Sequence, residues 1–197
     1  MPNIYEQAYR TVVSRPDGTD KLDMDYVVRV QESRRRLVKE YAWAIPNRTA
    51  IDLIAEHSPI IELGAGTGYW ANLVTIRGGR VEAYDKFPSR NEYKFEKRHY
   101  KIQEGDEAVL ESYDSSYTLL LCWPCYDTPF AFNALSRFTG NTLIYVGEGH
   151  GGCCGDNLFH ETLDNCWDLT HRVEIPRWPF IHDSVYIYRR KKNEILD

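Results

Sequence analysis

Between residues 24 and 43 apolar positions recur among charges: Val27, Val28, Val30, Leu37, Val38 and Tyr41. That spacing predicts a helix over 24–43, with Arg34, Arg35 and Arg36 turned to solvent. Pro46 ends it, because proline cannot continue a helical hydrogen-bond ladder, and Asn47 is placed to cap a second helix reaching about His57. Beyond it, short apolar runs alternate with amphipathic stretches. Residues 60–63, 81–84, 100–103, 117–122 and 142–146 are expected as strands, the run Tyr117-Thr118-Leu119-Leu120-Leu121-Cys122 being the most apolar. Helices are expected over 68–76, 130–138 and 156–167, the last with an acid in its first turn that complements the helix dipole. Two final strands, 171–175 and 184–189, have no helical pattern between them. They should pair as an antiparallel hairpin at one sheet edge, joined by a loop that carries Trp178, Pro179, His182 and Asp183.

Strands alternating with helices imply right-handed crossovers, hence a single α/β, doubly wound, mostly parallel sheet with helices on both faces and a C-terminal antiparallel hairpin. Residues 1–45 are expected to form an N-terminal lead-in and a lid helix, and 46–197 the sheet domain. The first 20 or so residues are expected to be irregular, with a turn at Pro16-Asp17-Gly18. A chain of 197 residues, 43% hydrophobic and 13% aromatic, suits one domain with a substantial core.

Charge narrows the partners. A formal net charge of −5 gives no global attraction to nucleic acid or to an anionic membrane. No run approaches the roughly 18 apolar residues of a membrane span, and the opening residues lack the apolar core of a signal peptide. Five cysteines, an odd number, do not suggest a secreted disulfide framework. The expected compartment is the reducing cytoplasm.

Glu62-Leu63-Gly64-Ala65-Gly66-Thr67-Gly68 falls where the first strand ends and a helix begins. In open α/β sheets that crevice, at the carboxyl ends of the strands, takes the ligand. A second acid, Asp85, ends the next strand and can accept from both hydroxyls of a ribose. A dinucleotide fingerprint requires a third glycine where this chain has Tyr69. With Glu62 opening the loop, the expected cofactor is nucleoside-like and positively charged.

These residues resemble the first motif of the class I, Rossmann-like S-adenosylmethionine-dependent methyltransferases. Asp85 matches that family's ribose acid. Ile102-Gln103-Glu104-Gly105-Asp106 is similar to the segment after its third strand, and the terminal hairpin to its antiparallel last strand. The resemblance covers residues from about 45 to 190. It implies S-adenosyl-L-methionine as cofactor, held by Glu62, Gly64, Ala65, Gly66, Gly68 and Asp85, with Asp106 facing the adenine. Lys86, Cys122 and a lid residue, Trp43, complete the expected cofactor set.

Methyl transfer from a sulfonium is an in-line displacement with an activated leaving group, so positioning can supply most of the catalysis and no fixed triad is expected. Cys122-Trp123-Pro124-Cys125-Tyr126 is partly similar to the (N/D/S)-P-P-(Y/F/W) motif of amino-group methyltransferases. Trp123 stands at that motif's polar position and Cys125 at its second proline, which leaves the Trp123 carbonyl and the Tyr126 ring. Trp123, Pro124 and Tyr126 are therefore the expected acceptor platform. Glu148, His150 and His182, in loops at the same sheet edge, are candidate polar or basic groups. The acceptor is unassigned, a small molecule or protein being favoured over nucleic acid. Two other classes compete: a catalytically silent module that keeps the cofactor fold, and a thiol oxidoreductase using Cys122 and Cys125, whose C-W-P-C sequence looks like a thioredoxin-like redox site. The cysteine spacing is poor for zinc, and no metal is expected.

Overall fold

A computed structural model describes residues 2–15, 23–89 and 97–192. The Pro16-Asp17-Gly18 turn lies outside the described residues. Seven strands form one sheet: β1 (Ile60–Leu63), β2 (Val81–Asp85), β3 (Gln103–Glu104), β4 (Thr118–Cys122), β5 (Thr142–Gly147), β6 (Trp167–Glu174) and β7 (Ser184–Arg190). Their order is β3-β2-β1-β4-β5-β7-β6. Strands β1 to β5 run parallel; β7 pairs antiparallel with both β5 and β6. The expected terminal hairpin is present, with β7 inserted between β5 and β6. The chain lays β2 and β3 to one side of β1 and β4 to the other. The crevice at the carboxyl ends of β1 and β4 is thus a topological switch point.

Side chains on neighbouring strand positions point to opposite faces, and both faces are dry. Ile60, Leu120, Ile144 and Val146 pack on one face with Ile51, Ile54, Trp70 and Val74. Ile61, Leu119, Leu121, Leu143 and Tyr145 pack on the other with Leu135, Phe159 and Leu163. Helices α3 (Arg48–Ala55) and α4 (Tyr69–Ile76) cover the first face, and α5 (Phe130–Arg137) and α6 (Asn157–Cys166) the second.

Asn47 caps α3 as expected, its side chain accepting from the Ala50 amide at 2.9 Å. The acid expected in the first turn of α6 is its N-cap, Asp156, which accepts from the amides of Phe159 and Phe132. The strand expected at 100–103 is instead the two-residue β3 at 103–104: Tyr100 sets its Cβ against Gly68, and its hydroxyl donates to the Val81 carbonyl at 3.0 Å.

The expected irregular lead-in is instead helical, α1 (Ile4–Val13), capped by Asn3. Helix α2 (Met24–Glu40) follows, and Tyr5, Val30, Leu37, Tyr41 and Ile45 form a third apolar cluster with Tyr69 and Trp178. The cluster is aromatic throughout: Tyr5 stacks on Tyr41, and Tyr9 meets the edge of Trp178. The N-terminal segment is thereby fixed to α4 and to the loop between β6 and β7. Arg35 and Arg36 are exposed as expected, but Arg34 turns inward. Its position shares the helix face of Val30, Leu37 and Val38.

Candidate functional site

The chain from β1 into α4 runs through three glycines in the left-handed region, Gly64, Gly66 and Gly68, with φ of 75°, 56° and 74°. At Gly68 two constraints coincide, since a Cβ would also lie 2.7 Å from the Tyr100 Cβ. Asp85, at the end of β2, organises the loop: its carboxylate accepts from the Gly66 amide at 3.0 Å and from the Phe87 amide at 2.9 Å. Arg98 donates to the Gly66 carbonyl at 2.7 Å. The Thr67 hydroxyl donates to the Tyr41 carbonyl, and the His99 ring lies 2.7 Å from the Glu40 carbonyl. The loop is therefore pinned to the end of α2.

Above this loop opens a cavity of about 1330 Å3, bounded by residues from the ends of β1, β2 and β4 and by Ala42 and Trp43. Of the expected cofactor residues, Trp43, Glu62, Gly64, Ala65, Gly66, Asp85, Lys86 and Cys122 line it. Gly68 lies behind, capping α4. Asp106 does not line it: its carboxylate accepts from the Ala108 amide and caps a short 3-10 turn, Glu107–Ser112. The lining acids there are its neighbours Glu104 and Glu107.

Glu62 is 2% exposed, and its Oε2 has no hydrogen-bond partner among the described residues. Burial, with the Asp85 charge adding to it, pushes the carboxyl up to about 8, against the pull of the Ala71 amide. Raised to about 8, it is a neutral acid at neutral pH. Trp70, on the first turn of α4, lines the same cavity and also carries a buried, unpartnered Nε1. Orphaned buried polar atoms are rare in folded chains, and these two belong to residues of one cavity wall.

The expected acceptor platform also lines the cavity: Trp123, Pro124 and Tyr126. Trp123 has a φ of 53°, a conformation that costs a non-glycine residue about 1–3 kcal/mol. Trp43 stacks on it, ring centroids 5.1 Å apart and planes 9° from parallel. The Arg34 guanidinium sits 5.4 Å from the Trp43 ring and 5.6 Å from that of Trp123. Behind the pair, the Trp123 indole N–H donates to Asp183 at 2.8 Å.

The candidate bases lie elsewhere. Glu148 is buried and accepts from the amides of Cys153 and His182, with the His182 ring 3.3 Å away. Burial pushes its carboxyl up, but those donors outweigh it and hold the group below its usual value. Glu148 thus ties two loops together outside the cavity wall, with His182 on its solvent side. His150 is exposed and stacks on His160, also away from the cavity. All five cysteines are free thiols. Burial raises the Cys122 thiol well above its ordinary value. Among the described residues no group of three or more His, Cys, Asp or Glu is placed to hold a metal ion. No described helix is long and apolar enough to cross a membrane.

No protein-family model and no curated protein matches the chain. Solved structures do. A mutant of MtNAS superposes with a TM-score of 0.50 at 10% identity, over 95% of this chain and 70% of that one. The magnesium protoporphyrin IX methyltransferase of Synechocystis PCC 6803, solved with SAM bound, gives 0.47 at 11% identity, over 94% and 90% of the two chains. A TehB-like SAM-dependent methyltransferase from Corynebacterium glutamicum gives 0.47 at 18% identity, over 72% and 86%. At such identities the similarity concerns the fold alone, a Rossmann-like α/β sheet.

Proposed function

We propose that this chain is an S-adenosylmethionine-dependent methyltransferase. The observation that carries this reading is the buried, unpartnered Glu62 carboxyl facing a cavity beside a left-handed glycine loop and the strand-end acid Asp85. The residues fit the cofactor. Glu62 needs a donor and favours a cation, which suits the amino end of an amino acid. The backbone at Gly64 leaves a concavity that a Cβ would fill, 3.2 Å from the Phe130 ring. Asp85 keeps acceptor capacity for a vicinal diol after meeting its two amides. Bound S-adenosylmethionine supplies an electrophilic methyl on a sulfonium. The chain's own residues orient and desolvate: Trp43, Trp123 and Pro124 wall the cavity, and Tyr126 stands at its rim, 63% exposed.

The acceptor we infer is a small molecule or protein side chain. Among the described lining residues Glu62, Asp85, Glu104, Glu107 and Asp127 are acids and Lys86 is the one base, a poor match for a phosphate backbone. The thiol reading lacks its chemistry, since redox C-x-x-C pairs work through a depressed thiol and Cys122 is raised. Titration calorimetry with S-adenosylmethionine and S-adenosylhomocysteine tests the proposal. Both should bind and NAD should not; NAD binding without a response to either methyl-donor ligand would refute it.

A further inference from the structure

Asp183 is the last residue before β7 and is 1% exposed. A carboxylate so placed is costly, and an apolar residue of similar size would fill the space more cheaply. Its side-chain partner is the Trp123 indole, 60 residues away in sequence and on the wall of the cavity. That tryptophan is the non-glycine residue among the described lining residues with a left-handed backbone, and its amide is held separately by the Val146 carbonyl at 2.8 Å. The indole is thus fixed at three places: its N–H by Asp183, its face by Trp43, and its flank by Arg34 from α2. Removing the polar fixation frees a ring whose backbone is already strained.

We propose that Asp183 is a positioning residue: by holding the Trp123 N–H from behind, it sets the ring and the strained Trp123-Pro124 segment against which a methyl acceptor is presented. The proposal rests on the methyltransferase reading for its purpose, though the fixation itself can be tested without it. Burial pushes the Asp183 carboxyl up to about 7, with the Glu148 charge adding, while the Trp123 indole, Arg34 and Arg177 oppose. Arg34 faces it from α2, Glu148 from the loop after β5, and Arg177 from its own loop. Tyr5, Tyr145, Cys122, Cys153 and Cys154 also face it, and all are raised, hence uncharged near neutrality. Ionisation of Asp183 therefore strengthens the indole bond within the neutral range.

The experiment compares wild type with Asp183→Asn, Asp183→Leu and Trp123→Phe by near-ultraviolet circular dichroism and tryptophan fluorescence, with S-adenosylhomocysteine as the probe ligand. The stacked-pair signal, identified by its loss in Trp123→Phe, should persist in Asp183→Asn, which still accepts from the indole, and collapse in Asp183→Leu. S-adenosylhomocysteine affinity should change by no more than about threefold in either Asp183 variant, because the cradle residues are separate. If the leucine variant fails to fold, the wild-type titration decides. The tryptophan signal should shift with a midpoint near 7, and the isosteric Asp183→Asn should abolish that shift. An intact signal in Asp183→Leu, or an unchanged titration in Asp183→Asn, overturns the proposal. S-adenosylhomocysteine failing to bind wild type, with the tryptophan signals behaving as described, would remove the methyltransferase reading and leave the fixation standing.

Discussion

Glu62→Gln should make the free protein more stable and the liganded protein weaker. In the unfolded chain this carboxyl ionises near its ordinary value of 4.5, whereas in the folded protein it keeps its proton to about 8. Between those values the folded state binds more protons than the unfolded one, so stability falls as pH rises through the window and is flat on either side of it. At pH 7 the accumulated loss is on the order of 3 kcal/mol. Glutamine has nearly the same shape and cannot ionise, so it recovers most of that. The opposite holds for ligand binding. A cation next to Glu62 draws the carboxyl into its charged form, and glutamine cannot follow; the lost charge-assisted hydrogen bond is worth about 1.5–3 kcal/mol, or roughly 10- to 150-fold in affinity.

Denaturant unfolding of both proteins across the acid-to-alkaline range reads the first effect, and calorimetry with S-adenosylhomocysteine reads the second. The stability gap should be near zero at the acid end, open through neutrality and level off above about 8. Wild-type affinity should rise with pH over the upper part of that window, with proton release on binding, while the variant's stays flat. A variant less stable than wild type at neutral pH, or a gap that ignores pH, would refute the argument that Glu62 is a neutral acid kept for a cationic ligand.

Asp85→Ala should lower S-adenosylhomocysteine affinity by about 2–3 kcal/mol in calorimetry, because it removes the diol acceptor and releases the Gly66 and Phe87 amides. Gly68→Ala should lose about 1–2 kcal/mol of stability in denaturant unfolding, since it combines a left-handed φ with the Tyr100 contact. Glu148→Ala strips acceptors from the part-buried Cys153 and His182 amides and should cost about 1–3 kcal/mol, whereas the exposed His150→Ala should stay within about 0.5 kcal/mol of wild type. Because the folded Glu148 carboxyl lies below its usual value, its contribution is present at neutral pH and disappears as pH falls through the acid range, which an acid titration of the two proteins would show.

The parts of the molecule that read well from sequence are those whose signal is local. Continuous apolar runs such as 117–122 identify strands buried on both faces, and Asn47 after Pro46 identifies a helix start; neither depends on distant residues. Local signals also misled where one residue has two uses. Tyr100 falls in a run that reads as strand, yet its Cβ backs onto Gly68 and its hydroxyl bonds the Val81 carbonyl. Asp106 matched a family position, but its carboxylate is used as a cap, and the cavity receives Glu107 instead. Arg34 is hidden in a run of three arginines that reads as one surface. Its register was available: positions 30, 34, 37 and 41 lie on one helical face, and the other three are buried apolar residues. Asp183 offered no such signal, because what gives it meaning is a tryptophan on another strand's exit loop.

This contrast follows the division of labour within the cavity. In the proposed reading the cofactor side is one continuous turn from β1 into α4 plus the end of β2, so its chemistry is compressed into a short motif. The acceptor side of that reading draws on the segment after α2, the exit of β4 and the loop before β7, which meet at one indole. Substitutions in any of those three segments can re-aim the Trp123 ring without touching Glu62 or Asp85. Acceptor preference can therefore change while cofactor binding stays constant, provided the replaced residues still offset the strain of a left-handed tryptophan. On this argument Trp43→Ala, which removes the stacking partner of Trp123, should redirect or abolish transfer while lowering S-adenosylhomocysteine affinity less than Asp85→Ala does. A parallel loss of cofactor affinity would mean that Trp43 belongs to the cradle, and that the two sides are not separable.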